Sequence, residues 1–459
     1  MRLLLLFAGC VFLWGEDWLR FRGPNGSGVS QEHGLPADFR PENRLWRVPV
    51  PMGHSSPIVR GDRIFLTGVE NDRLVTFCLK TTDGSLVWKQ EAPRPRRDVF
   101  DKRNNAASPS VSAEDGNVYV FFPEYGLLSY TSSGKERWRL PLGPFDNFYG
   151  MGASPILAGD LVVLICDQTR GSYALAVGKN DGKEKWRKAR AEAVSGHSTP
   201  VLFQQPGGPL TVLAPGSFRM DAYQASTGEV LWHAKGLASE MKSVPVVDGN
   251  RIYINGYNLP ENDPGRQIPV PAFAEMRAHD KNGDGALQKE ELPDGRAKSF
   301  FPYLDLNRDQ KLDEAEWGFF VQGMAAENSL LAIEPGGKIL WKFHRGIPQL
   351  PSTVLYQGVL YMISDGGILS TLDPQSGTLH KQGRLRSTPD RIYASPVAGD
   401  GKVYFLTEAG IVVVMAASAE QKTLSTTLLE EDAYATPAIA GGRIYIRTTQ
   451  ALHAFGLKR

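Results

Sequence analysis

The sequence predicts an all-β fold, an eight-bladed β-propeller, from three observations. A turn-glycine-strand motif ending in tryptophan recurs along the chain: TTDGSLVW to Trp88, SSGKERW to Trp138, KNDGKEKW to Trp186, STGEVLW to Trp232 and PGGKILW to Trp341. A second motif alternates with it, a Ser/Thr-Pro dipeptide followed by an apolar pair, a Gly or Asp turn and an apolar strand, in eight copies. The copies recur at about 40–50 residues, the length of a four-stranded propeller blade. Helical repeats of similar period are excluded by the two-residue alternation, the Val/Ile/Tyr/Phe content and the Gly-Asp and Asp-Gly turns.

The glycine stands four residues before each tryptophan, as Gly84, Gly134, Gly182, Gly228 and Gly337. A tight turn between strands often needs positive φ, which glycine supplies. Tryptophan brings an apolar body that a neighbouring repeat can bury. The second motif places its proline slot at Pro57, Pro109, Pro155, Pro200, Pro245, Thr353, Pro396 and Pro437. The last unit ends without a tryptophan strand, and NRLWRVPV supplies one through Trp46. An N-terminal strand is therefore expected to close the eighth blade and remove the free sheet edge. The sixth and seventh units are worn: Lys381 stands in the tryptophan position after Gly377, and the seventh has neither glycine nor tryptophan in place.

Domains follow: 1–15 a signal peptide, 16–258 and 328–459 the two parts of the propeller, and 259–327 an insert in blade five. MRLLLLFAGCVFLWG has one Arg before an apolar run too short to span a bilayer, which fits a secretory signal. A competing reading takes Cys10 of FAGC as a lipidated residue anchoring the protein to an outer membrane. Either way an exported, periplasmic or extracellular protein is expected, with no transmembrane segment in the mature chain. Cys78 and Cys166 lie in different repeats inside apolar strands and read as buried, inert thiols. A net charge of +1 gives no case for nucleic acid as a partner. Upstream, DWLRFRGPNGSG is a turn-rich lead-in expected to tie the N-terminus against the propeller.

The insert carries DKNGDGALQKEE, the twelve-residue calcium-loop pattern of an EF-hand. Asp280, Asn282 and Asp284 offer side-chain oxygens, Ala286 a carbonyl, Gln288 a direct or water-mediated contact and Glu291 a bidentate carboxylate; Gly285 permits the sharp turn. A second loop, DLNRDQKLDEAE, offers Asp305, Asn307, Asp309, the Lys311 carbonyl, Asp313 and Glu316, but has Gln310 in the glycine position. Leu287 and Leu312 are expected to pair the loops through a short β-bridge. Pro293 and Pro302 shorten or kink the connecting helices. Phe273, Met276, Phe300, Phe301, Phe319 and Phe320 are expected to form the module's core. Calcium is the implied cofactor, and outside the cell a weak structural site would stay filled.

The Ser/Thr-Pro alternation with T-G-x-x-x-W turns resembles the PQQ-type propeller repeat, shared by quinoprotein dehydrogenases and BamB-like outer-membrane assembly lipoproteins. The opening WLRFRGPNGSG and closing RIYIRTTQALHAFG resemble exported bacterial PQQ-like repeat proteins. The acid often found four residues before the repeat glycine survives only as Asp373. The resemblance implies, for a dehydrogenase, PQQ at one end of the channel, a calcium ion, a base Asp and usually a disulfide between adjacent cysteines. This chain has no adjacent cysteines and no recognisable PQQ ligand set, so PQQ is not expected.

Residues just before the proline slots are expected to face the channel mouth: His54, Asn105, His197, Lys242, Gln349, Tyr393 and Tyr434, with Asp98 and Arg391 nearby. Hydroxyls at Ser56, Ser108, Ser154, Thr199, Ser352, Ser395 and Thr436 recur too regularly for catalysis and read as turn formers. No catalytic residue is assigned. The chain reads as a monomeric, non-catalytic binding or scaffolding module with an envelope protein or glycan as partner. The alternative is a PQQ-dependent dehydrogenase or another enzyme working at the channel mouth.

Overall fold

The computed structural model describes residues 16–385 and 390–457. The expected signal peptide and Cys10 lie outside them. Eight four-stranded antiparallel sheets form the propeller. Blade one runs outward through Ile58–Arg60, Arg63–Glu70, Arg73–Lys80 and Leu86–Ala92. The innermost strands of the next blades are Ser112–Glu114, Ile156–Ala158, Val201–Phe203, Val246–Asp248, Val354–Tyr356, Val397–Gly399 and Ala438–Ala440. Arg44–Pro49 pairs with Ala451–Gly456 as the outermost strand of blade eight. The ring therefore closes through a strand from the other end of the chain, as the position of Trp46 implies.

The tryptophan slot works between blades. Nε1 of Trp46, Trp88, Trp138, Trp186 and Trp341 donates to a turn carbonyl of the next blade, at Thr81, Ser132, Lys179, Ala225 and Pro374. The repeat glycine lies under the previous blade's indole: a Cβ on Gly134, already at φ 88°, would sit 2.8 Å from the Trp88 ring. Glycine thus serves both the turn and this close approach. Trp232 departs, since Gly337 packs on the His233 carbonyl rather than on the indole. In the worn sixth blade Lys381 Nζ donates to the Glu420 carbonyl at 2.8 Å, so an ammonium keeps the bond that the indole makes elsewhere.

The hydroxyl row also works between blades, which corrects the turn-forming expectation for all but Ser108, whose Oγ accepts from Asn105 N in a local turn. Ser56 N donates to Ser110 Oγ, Ser110 N to Ser154 Oγ, and Ser154 N to Thr199 Oγ1. Val244 N donates to Ser352 Oγ, Ser352 N to Ser395 Oγ, Ser395 N to Thr436 Oγ1, and Thr436 N back to Ser56 Oγ. Val244 has no hydroxyl to accept from blade four. Blade two uses Ser110, not Ser108. Its inner strand starts at Ser112 where blade one starts at Ile58, so Val111 rather than Pro109 fills the slot.

The lead-in closes one end of the channel by crossing the inner strands. Trp18 bridges Val59, Leu19 O accepts from Ala113 N, Asn25 exchanges two bonds with Leu202, and Val29 bridges Ala398. Trp18 is fully buried, and Phe21 packs beside Val201 and Val244.

The insert leaves blade five between Arg251–Gly256 and Ser329–Ile333, so the core strands stay paired. It contains the helices Phe273–Met276, Arg296–Leu304 and Glu314–Ala325, and the two-stranded pair Leu287–Gln288 with Lys311–Leu312. Its core holds Phe273, Met276, Phe301 and Phe320 as expected, together with Trp317 and Met324. Phe300 is only partly buried there, and Phe319 instead packs on Phe218 of blade four, ring centroids 5.3 Å apart. No described helix is long and apolar enough to cross a membrane.

Candidate functional site: the channel mouth and the loops above it

Each inner strand enters the channel from the end opposite the lead-in, and the third residue before the slot projects at that mouth. His54, Ser108, Gly152, His197, Lys242, Leu350, Tyr393 and Tyr434 hold these positions and all line one cavity of about 220 Å³. Phe21 of the lead-in reaches it from the closed side, and Gln349 also lines it. Asn105 does not. Its Oδ1 accepts from Ala107 N at 2.8 Å, while Asn104 lines the cavity and donates to the Tyr149 and Gly150 carbonyls. The shift follows from the two-residue register change in blade two. Asp98 pairs with Arg96 outside the cavity, and Arg391 is exposed outside it.

One wall is an aromatic stack. The His54 ring lies 4.3 Å from Tyr434 at 12°, and Tyr393 stacks on Tyr434 at 5.0 Å. Burial, with Arg447 nearby, pushes the His54 imidazole down to about 4, so it is neutral near pH 7. Its ring bonds the Arg103 backbone, and Nδ1 is buried without a partner. Tyr434 donates to Glu408 at 3.0 Å; burial, then that carboxylate, pushes its phenol up to about 12.

Two charged pairs also line the cavity, and of their four residues sequence reasoning found only Lys242. Asp101 is paired with Arg103, whose guanidinium lies over the Tyr149 ring at 5.4 Å. Glu240 lies 2.8 Å from Lys242 Nζ and 3.7 Å from His197 Nε2 and accepts from Ser195 Oγ at 2.7 Å. Burial alone would raise Glu240, but Lys242 and His197 bring it down to about 2. Asp101, Arg103, Tyr149 and Glu240 come from the long loops that join one blade's outer strand to the next inner strand. No repeat signal marks them, so only the closed ring gathers them.

The insert stands beside this mouth. A second cavity, about 330 Å³, shares Tyr149, Glu240, Lys242 and Gln349 with the first and is walled by Phe300, Tyr303 and Phe319 of the insert. Tyr303 packs on Phe148 at 5.4 Å, and Arg308 pairs with Asp146 of the same mouth loop.

Within the insert the two loops share one hydrogen-bond pattern except at one donor to the first aspartate, the fourth loop residue in one and the fifth in the other. Asp280 accepts from Gly283 N and Gly285 N, Asn282 from Asp284 N, and Asp284 from Ala286 N. Glu291 accepts from Lys281 N and Gln288 N. In the second loop Asp305 accepts from Asp309 N and Gln310 N, Asn307 from Asp309 N, and Asp309 from Lys311 N. Glu316 accepts from Leu306 N and Asp313 N. Gln310 takes φ 67°, close to the 84° of Gly285, so the missing glycine does not change the turn. Leu287 pairs with Leu312 as expected. Lys311 Nζ reaches Asp284 Oδ2 at 3.0 Å across the pair. Among the described residues no three His, Cys, Asp or Glu side chains already converge as a metal site. The donor set is instead mixed, with Asn282, Gln288 and the Ala286 carbonyl beside the carboxylates, which suits a hard cation taking many oxygens.

Cys78 and Cys166 are buried and unbridged, each pushed up to about 12 by burial, as inert thiols should be.

The ring, its tryptophan latches and its polar mouth define a β-propeller of PQQ-like repeats. The family described as outer membrane protein assembly factor BamB matches residues 41–170, 78–259 and 312–459, well over half of the chain, and the chain belongs to that family. Among solved structures, BamB from Moraxella catarrhalis superposes with a TM-score of 0.57 at 12% identity, covering 90% of this chain and 98% of that one. The quinohemoprotein alcohol dehydrogenase of Comamonas testosteroni gives 0.59 at 11% identity, covering 96% and 81%. The quinohemoprotein alcohol dehydrogenase ADHIIG of Pseudomonas putida HK5 gives 0.57 at 13%, covering 96% and 80%. At these identities the structures share the fold alone. A search of curated protein sequences returns no match.

Proposed function

We propose that this chain is an exported, calcium-binding propeller that acts as a non-catalytic binding module of the cell envelope and takes its ligand at the channel mouth. The observation that carries the calcium reading is the closely similar hydrogen-bond pattern of the two loops, in which Asp280, Asp284 and Glu291, and likewise Asp305, Asp309 and Glu316, accept from backbone N–H groups of their own loop. Bound calcium would draw these oxygens together and stiffen the module. Through Tyr303 and Arg308 that stiffness would reach the mouth loop carrying Phe148 and Asp146. At the mouth the aromatic wall and the two charged pairs could grip a small polar ligand or a side chain of a partner. Its cations are already matched by acids, which favours holding a neutral or zwitterionic group over catalysis.

Calcium titration of the full chain tests the reading. Uptake with a dissociation constant on the order of 10⁻⁴–10⁻³ M is expected, weakened at least about tenfold by Glu291→Gln. No uptake at millimolar calcium would overturn it. Added PQQ with calcium should give no dye reduction in the presence of alcohols or sugars; turnover would install the dehydrogenase alternative.

A further inference from the structure

The two cavities at the mouth meet along a charged border, and their walls differ on either side of it. The larger, about 330 Å³, is walled by Phe148 of the mouth loop and by Phe300, Tyr303, Leu304, Phe319 and Met324 of the insert. Leu304 and Met324 are buried, but Phe148, Phe300 and Phe319 are only half-buried, and Tyr303 is 51% exposed. Aromatic surface left facing an open cavity, rather than packed away, marks a place for an apolar group. The smaller cavity instead holds the Asp101–Arg103 pair and the hydroxyl row.

Tyr149, Glu240, Lys242 and Gln349 line both cavities. The Glu240 carboxylate and the Lys242 ammonium are 2.8 Å apart, with side chains 18% and 13% exposed. Neither is used up by the other. Lys242 Nζ reaches that carboxylate and, at 3.3 Å, the Glu240 carbonyl, which leaves one of its hydrogens over. Glu240 takes Ser195 Oγ on Oε1 and Lys242 on Oε2, short of the roughly four bonds a carboxylate can accept. Asn258 Nδ2, in the wall of the larger cavity, is a further donor buried without an acceptor. A ligand head with a single charge would set a like charge against one member of the border pair. A head with both charges can lie antiparallel to the pair, each charge opposite its complement.

We propose that the border and the larger cavity together bind an aromatic α-amino acid, its zwitterionic head on Glu240 and Lys242 and its ring among Phe148, Phe300, Tyr303 and Phe319. Such a molecule carries both charges on one carbon and its ring one methylene away. Head and ring therefore fall on adjoining surfaces, as the shared border requires. The assignment rests on the reading of the mouth as a ligand site and names what that site takes.

Calorimetric titration of the full chain in calcium buffer tests it. L-phenylalanine should bind with a dissociation constant on the order of 10⁻⁵–10⁻⁴ M. N-acetylphenylalanine and phenylalaninamide, each keeping one charge, should bind at least about tenfold more weakly, and glycine, which lacks the ring, should give no heat. Tyr303→Ser, at an exposed position, should weaken phenylalanine about fivefold or more. Lys242→Met should erase the preference for phenylalanine over phenylalaninamide. If 2-phenylethanol binds as tightly as phenylalanine, the site takes rings and the zwitterion assignment is overturned. Calcium uptake without any phenylalanine binding overturns the assignment too, while leaving the calcium-binding module in place.

Discussion

The two ends of the channel are built from the same eight strands yet solve opposite problems. At the mouth both cations that line the cavity have an acid beside them: Arg103 has Asp101, and Lys242 has Glu240. At the closed end Arg20 and Arg22 have carbonyls only. The mouth is walled by loops that vary from blade to blade, and the closed end by one continuous segment laid across the inner strands. The difference teaches that repeats supply a frame, while each end takes its chemistry from residues outside the repeat.

The comparison can be broken most severely at the closed end. Trp18→Ala removes a fully buried indole that ties the lead-in to blade one, and should cost about 3–5 kcal/mol in urea unfolding. An intact unfolding midpoint would mean that the lead-in is an ornament rather than a plug.

At the mouth, His54 sets a pH dependence. Its folded value near 4 lies below the ordinary 6.5, so the folded state favours the neutral ring. Above about pH 6.5 the contribution is fully present. As pH falls from 6.5 to 4 the unfolded chain takes up a proton that the folded chain refuses, and stability drops by on the order of 3 kcal/mol. His54→Gln should flatten unfolding curves over that window, and an unchanged slope would contradict the burial assigned to this ring.

Between the ends runs the hydroxyl ring, where the smallest effects should appear. Thr436→Ala strands the buried Ser395 N–H and should cost about 1–3 kcal/mol. Ser108→Ala, at the mouth rather than in the ring, should stay within about 0.5 kcal/mol. Equal costs would reverse the register given to blade two.

Much of this was legible in the chain. The repeat glycines and tryptophans place the blades, and Trp46 identifies the closing strand, because ring closure needs one more outer strand than the C-terminus provides. Both calcium-loop patterns are local, so twelve consecutive residues were enough to find them and to find the Leu287–Leu312 pairing. Where reading by motif failed, the cause was register. Pro109 looks like its counterparts, but the strand in blade two begins two residues late, and this moved Ser110 into the ring and replaced Asn105 by Asn104 at the mouth.

The sequence by itself determined the architecture, since periodicity, turn glycines and apolar alternation are properties of neighbouring residues. Only the tertiary structure decided what faces what. Asp101, Glu240 and Tyr149 sit in unrelated loops, and Arg20 and Arg22 meet blades four and six almost two hundred and more residues away. A charge becomes a site through the burial and the partners that folding gives it, and those are set by contacts that no local pattern encodes.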